Sequence, residues 1–203
     1  MRGKNRDQFD KEIEDAYYEA EIDDEPINLP KEIASWLIYF GVVFLMTYLI
    51  ITFVGQRTKV IGQSMEMTLF DGDNLIVDKI SYRFNDPERF DIIVFPYRYD
   101  HSKHYIKRVI GLPGETVQII GDDIYIDGVI LEENYGAEPM EDPGVAAEPI
   151  VLGSDEYFVL GDNRNHSSDS RAPDVGMISR EDITGRAWMR IYPFDRFGIL
   201  KHR

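Results

Sequence analysis

The sequence predicts a mostly β protein: an antiparallel β domain preceded by one N-terminal transmembrane helix. Two observations carry this. From Ile33 to Gln56, 24 residues contain no Asp, Glu, Lys or Arg. The 147 residues after Gln56 break instead into short apolar runs separated by Gly, Pro and Asp. A long uncharged run is the signature of a membrane span, and short punctuated runs are that of antiparallel strands.

Before the apolar run, residues 1–32 carry 11 acidic and five basic side chains, a local net charge of -6. So little apolar surface can be buried that a disordered tail or a short amphipathic helix is expected, ending at Pro26 or Pro30. The tail is too long and too acidic to be the leading part of a signal peptide. As a helix, 33–56 would be about 36 Å long, enough to span with some tilt. Trp36 and Tyr39 lie near one end, where an interfacial aromatic belt would place them. Five basic residues precede the run, and Arg57 and Lys59 follow it closely. That count puts the N-terminus in the cytoplasm and residues 57–203 outside it. No small-residue cleavage pattern follows, so the run reads as a retained single-pass anchor in the cell membrane.

Strand-like runs follow in order: Asn74–Asp78, Phe90–Phe95, Thr116–Ile120, Ile124–Ile126, Glu156–Leu160 and Arg186–Tyr192. Asp127-Gly128 between apolar pairs signals a hairpin. Ser179–Ile183 reads as a helical turn. Residues 133–149, rich in Glu, Pro, Gly and Ala, read as an exposed insertion loop with no core of its own.

Composition removes several classes of function. A net charge of -15 argues against nucleic acid as a partner, since phosphate binding needs a basic patch. The absence of cysteine removes thiol peptidases, disulfides and thiolate metal sites. His101 and His104 lack further ligands at useful spacing, so no metal and no cofactor are expected.

Three stretches carry possible chemistry. In Gly62-Gln63-Ser64-Met65, Gly62 permits a tight turn that exposes Ser64, whose N–H could face a developing oxyanion. Ser64 lies at most about 28 Å of extended chain beyond Gln56, so its substrates would be met at the bilayer surface. A serine hydroxyl needs a base. Lys107, in Tyr105–Gly111, is the candidate. On a strand, Tyr105, Lys107 and Val109 share one face and Ile106, Arg108 and Ile110 the other, so at least one of the two adjacent cations lies among apolar neighbours. To act as a base, Lys107 must fall to a pKa of about 7–8 by burial, at a cost of about 3–4 kcal/mol. The third stretch is Gly161-Asp162-Asn163-Arg164-Asn165-His166-Ser167-Ser168-Asp169-Ser170-Arg171. Asp162 or Asp169 with Arg164 or Arg171 can form bidentate pairs that stiffen this loop, and a serine in it could orient the lysine amine.

Taken together these stretches resemble the type I signal peptidases, the membrane-bound Ser–Lys leader peptidases, of the short single-anchor kind typical of Gram-positive bacteria. The match runs from the anchor to about Phe197. It rests on Gly62-x-Ser64-Met65-x-x-Thr68-Leu69, Gly72-Asp73 with Val77-Asp78-Lys79, Arg89–Phe95, Tyr105–Gly114, and Gly161-Asp162-Asn163-Arg164 with Ser167-x-Asp169-Ser170-Arg171. The resemblance implies Ser64 as nucleophile, Lys107 as general base, Ser167 hydrogen-bonded to the lysine, and Asp169 with Arg171 bracing the site. It implies a smaller β subdomain, about 112–155, inserted in the catalytic one. The implied substrates are signal peptides of exported preproteins, cut after small side chains at -1 and -3. The implied partners are those peptides and the lipid bilayer, with the export translocon a candidate. Two positions depart from the pattern. Met67 stands where the family usually has proline, which predicts a less rigid turn. Gly62 stands where Gram-negative relatives have a serine that aids the oxyanion hole.

Two alternatives stay open at this point. His104 or His166 could serve Ser64 in place of Lys107. In another class altogether, the chain could be a soluble self-cleaving Ser–Lys regulator or a non-catalytic membrane-tethered β module.

Overall fold

The computed structural model of the chain describes residues 9–15, 28–49, 55–136 and 138–201. It divides into two units, Met1–Tyr48 and Leu49–Arg203. Most of the acidic tail lies outside the described residues; within it, 9–15 form a short helix, α1.

The first unit is built around helix α2 (Leu29–Leu49), 21 residues, long and apolar enough to cross a membrane. Its start differs from expectation. Pro30 sits inside the first turn, where its missing N–H leaves no bond unmade, and the N–H groups of Lys31 and Glu32 donate to the Asn28 carbonyl. Its end differs too. Residues 50–54 lie outside the description, and Gly55 and Gln56, expected in the anchor, begin the first strand. An uncharged run marks where charge is absent, not where a helix stops.

The second unit contains two antiparallel sheets. In the larger, the order is β1 (Gly55–Lys59), β2 (Asn74–Asp78), β11 (Gly185–Tyr192), β3 (Ile92–Tyr97), β4 (Asp100–Gly111), β9 (Glu156–Leu160) and β10 (Ile178–Ser179), with β12 (Gly198–Ile199) beside β11. The smaller has the order β7 (Val129–Ile130), β6 (Asp123–Ile126), β5 (Thr116–Ile120) and β8 (Ile150–Val151), all between β4 and β9 in the chain. Asp127 and Gly128 join β6 to β7 with both φ angles positive, the geometry of a two-residue hairpin turn. A one-turn helix, α3 (Ser81–Phe84), was not foreseen; its first N–H groups donate to the Asp78 carboxylate. The turn expected at 179–183 is a 3-10 turn, Arg180–Asp182.

Strand β3 explains its unbroken apolar run. Ile92 and Val94 enter one core with Met65, Leu69 and Leu75, while Ile93 and Phe95 enter a second with Tyr82, Val109 and Tyr157. A strand covered on both faces needs no polar alternation. The third core lies under the small sheet and includes Val117, Ile119 and Phe158.

The 133–149 segment is not the bare loop expected. Met140 and Ala146 are buried in that third core. Two side chains are too few to give a periodic signal, and the segment is held mainly by backbone bonds. The Met140 N–H donates to Asp122, and Arg171 donates to the Asp142 carbonyl.

Candidate active site

The loop after β1 is fixed at both ends before it presents Ser64. At its base the Val60 N–H donates to the Asp73 carbonyl and the Gly72 N–H to the Val60 carbonyl, and the Gly62 N–H donates to Asp71 at 2.9 Å. Gly62 has φ +97°, a conformation a side chain would strain. Met65 and Leu69, 2% and 0% exposed, plug into the first core on either side of the turn. Met67 also lies in the left-handed region, at φ +82°. Proline, held near φ -65°, could not take that angle, so a proline at this position would force the turn to change.

Lys107 reaches this loop from β4. Its Nζ lies 2.7 Å from Ser64 Oγ and donates to the Ile106 carbonyl at 3.1 Å. The residue is only 3% exposed. Burial pushes its ammonium down to about 8, against the opposing pull of Asp169 and Asp162. At neutral pH an appreciable fraction is therefore the free amine. In that form the Ser64 hydroxyl can donate to Nζ across the same 2.7 Å gap.

The polar loop 161–171 closes over the serine from the other side. The Asn163 N–H donates to the Ser64 carbonyl at 3.1 Å, and Thr68 Oγ1 donates to Asp162 at 2.5 Å. Gly161 is required here: a Cβ would collide with Ser167 Oγ and with the Ser64 carbonyl oxygen. Of the pairs expected, Asp169 does bind Arg171, at 2.8 and 2.9 Å, and also accepts the Gly161 N–H. The others differ. Asp162 takes a bidentate pair from Arg108, at 2.8 and 2.7 Å, rather than from Arg164 or Arg171. Arg164 pairs with Glu133 at 2.8 Å and donates to the Gly161 carbonyl.

Ser167 is brought to the site, but its buried Oγ has no hydrogen-bond partner among the described residues, and the bond to Lys107 that the resemblance implies is not made. The lysine's bonds go to Ser64 and Ile106 instead. The Ser64 N–H donates to no acceptor among the described residues, which leaves it available to an oxyanion.

Sequence reasoning missed Arg108, Glu133 and Tyr135. Arg108 is 1% exposed, donates to the Phe90 carbonyl at 2.9 Å, and stacks on the Tyr135 ring at 3.6 Å. The available signal was Arg108 itself: a cation alternating with Ile106 and Ile110 must be buried and needs a carboxylate. His104 and His166 line the same cavity as the dyad, about 620 Å³ in volume, yet neither bonds Ser64. Among the described residues, no group of three or more His, Asp or Glu could hold a metal.

A serine hydroxyl in contact with a desolvated lysine amine, on an antiparallel β scaffold, has the form of a Ser–Lys hydrolase site. The sequence comparisons make the class specific. The profile described as "Signal peptidase, peptidase S26" matches residues 33–192, and the chain belongs to that family. It is 44% identical over 154 residues to a "Probable signal peptidase I-2" of Synechocystis sp., covering 73% of this chain and 68% of that relative. It is 45% identical over 156 residues to a "Signal peptidase I" of Leptolyngbya laminosa, covering 73% and 74%. It is 33% identical over 176 residues to "Signal peptidase I P" of Bacillus subtilis subsp. natto, covering 83% and 94%. A crystal structure of a signal peptidase I from Enterococcus faecalis is 35% identical and covers 50% of this chain and 97% of that one, with a TM-score of 0.42.

Proposed function

We propose that this chain removes N-terminal signal peptides from preproteins, with Ser64 as nucleophile and Lys107 as general base. The observation that carries the assignment of roles is the 2.7 Å contact between Lys107 Nζ and Ser64 Oγ at a lysine 3% exposed. Neutral Lys107 takes the hydroxyl proton as Ser64 Oγ attacks the scissile carbonyl. The Ser64 N–H supports the negative oxygen of the tetrahedral intermediate. The Lys107 ammonium then gives its proton to the departing amine, leaving an acyl-enzyme. Lys107, neutral again, takes a proton from the water that releases the signal peptide. Gly161, Asp162, Asp169 and Arg171 hold the two loops that frame these atoms, and Arg164 and Ser167 fill the space behind them.

The substrate's place follows from open strand edges. Among the described residues, strand β1 pairs with β2 alone, and β4 meets β9 only from Arg108 onward. Both β1 and the first half of β4 line the cavity at the dyad. An extended peptide laid between them would find unpaired N–H and C=O groups on either side. Cleavage after small residues at -1 and -3 belongs to the same reading, with buried Met65 and Ile106 narrowing the cavity beside Ser64.

Helix α2 anchors the peptidase in a bilayer. Five basic residues before it, against Arg57 and Lys59 just after it, support a cytoplasmic N-terminus for the acidic tail over 1–32 and an extracytoplasmic catalytic domain over 57–203. The export translocon fits as a neighbour that delivers the substrate. The test is purified full-length protein in detergent with a preprotein, the product termini read by mass. Wild type should release one defined signal peptide, and Ser64→Ala and Lys107→Ala should lose at least about a thousandfold in rate. Retained cleavage in either variant overturns the assigned roles.

A further inference from the structure

We propose that the groove beside the dyad sorts preproteins by charge: Lys59 and Lys103 favour an acidic substrate residue about three to five positions from the scissile bond. This rests on the peptidase reading and adds a substrate preference to it. The chain carries 37 acidic residues against 22 lysines and arginines, yet no Asp or Glu lines the 620 Å³ cavity that holds Ser64 and Lys107. Lys59, Lys103, His104 and His166 do line it. In a molecule of net charge -15, this groove is a local reversal of sign.

Lys59 has no ion-pair partner among the described residues. Lys103 pairs with Asp100 at 3.0 Å, but it is 68% exposed, and such a pair in water is readily exchanged for a substrate carboxylate. Both lysines sit on the strand edges that the peptide would join, since β1 and β4 each run toward the dyad. Lys59 comes five residues before Ser64, and Lys103 and His104 come four and three before Lys107. Along β4 an extended substrate advances at the strand's own pitch, about 3.3 Å per residue, so Lys103, four residues before Lys107, sets the selected position about three to five residues from the cut. The acidic remainder of the molecule repels a carboxylate elsewhere, so the preference is a difference between groove and surroundings.

The test uses full-length protein in detergent and peptides identical except for Glu, Gln or Lys at single positions up to five residues before or after the cut. The readout is kcat/KM for wild type, for the Lys59→Gln/Lys103→Gln double variant, and for Lys59→Glu/Lys103→Glu. The expected result is a Glu-over-Lys preference of about three- to tenfold in wild type, three to five residues from the cut on one side. That ratio falls to about one in the Gln pair and inverts in the Glu pair, and about 0.5 M salt shrinks it. Because each ratio compares two peptides with one enzyme, a poorly folded variant lowers both rates alike. A flat ratio in wild type, or one that neither pair changes, overturns charge selection. In that event, cleavage of the Gln peptide by wild type and not by Ser64→Ala still upholds the peptidase reading; no cleavage of any peptide overturns both.

Discussion

Lys107 and Arg108 are neighbours on one strand, both almost fully buried, and their two sides of β4 treat a positive charge in opposite ways. On the arginine side the charge is met at every nitrogen: Asp162 takes two bonds, the Phe90 carbonyl a third, and the Tyr135 ring lies against the guanidinium plane. On the lysine side there is a hydroxyl and one carbonyl, with no carboxylate in contact. Arginine cannot shed its proton, so burying it demands a counter-charge; lysine can, so burying it without one yields a base. The difference between the two sides is the number of acceptors supplied, not the depth of burial.

The largest test of this contrast removes the arginine's counter-charge. Asp162→Ala leaves Arg108 buried and unpaired and should cost about 3–5 kcal/mol, read as a lower urea midpoint. Adding Arg108→Met should recover much of that loss, because an apolar side chain needs no partner.

The lysine side should behave in reverse. In the unfolded chain Lys107 titrates near 10.5, and in the folded chain at about 8. Between these values the unfolded state binds more protons, so this group makes stability rise with pH across that window. Below about pH 8 its full penalty is present, about 3 kcal/mol. Lys107→Met should therefore be more stable than wild type at pH 7 by about that amount and lose that advantage as pH rises from about 8 toward 10.5, while being inactive. For wild type, cleavage at limiting substrate should climb through about pH 8 as the amine is freed.

A smaller effect is expected from Tyr135→Ala, which removes the ring from the Arg108 guanidinium. The cost should be about 1–2 kcal/mol by urea denaturation. The smallest sits on the nucleophile loop. Met67 holds φ +82° and is 69% exposed, so Met67→Gly should gain up to about 1 kcal/mol, whereas Met67→Pro should lose stability. Thermal unfolding of the two variants against wild type separates these signs.

How much of this was legible in the sequence depended on range. Strands such as Ile92–Tyr97 and Glu156–Leu160 announce themselves through local apolar runs. Strand β1 does not: Gly-Gln-Arg-Thr-Lys contains no large apolar residue, because an edge strand beside a groove has nothing to bury. The bounds of α2 were blurred for a related reason, since the uncharged run continues past Leu49 into that strand. In the site, Ser64, Lys107 and the Asp169–Arg171 pair sit in motifs whose residue types declare their chemistry. The partner of Asp162 was not legible, because Arg108 is 54 residues away and only the sheet register brings them together. Glu133 and Tyr135 were hidden for the same reason, in a stretch whose composition reads as loop.

The site is stitched from distant parts of the chain. Ser64 and Lys107 are 43 residues apart, and Thr68 and Asp162 are 94 apart. None of the three segments that meet at the serine can hold the reactive geometry alone. A nascent or partly unravelled copy therefore carries a harmless alcohol and an ordinary ammonium. Under the roles proposed for Ser64 and Lys107, cutting power arrives only when these segments have met, which makes completion of folding the activating event.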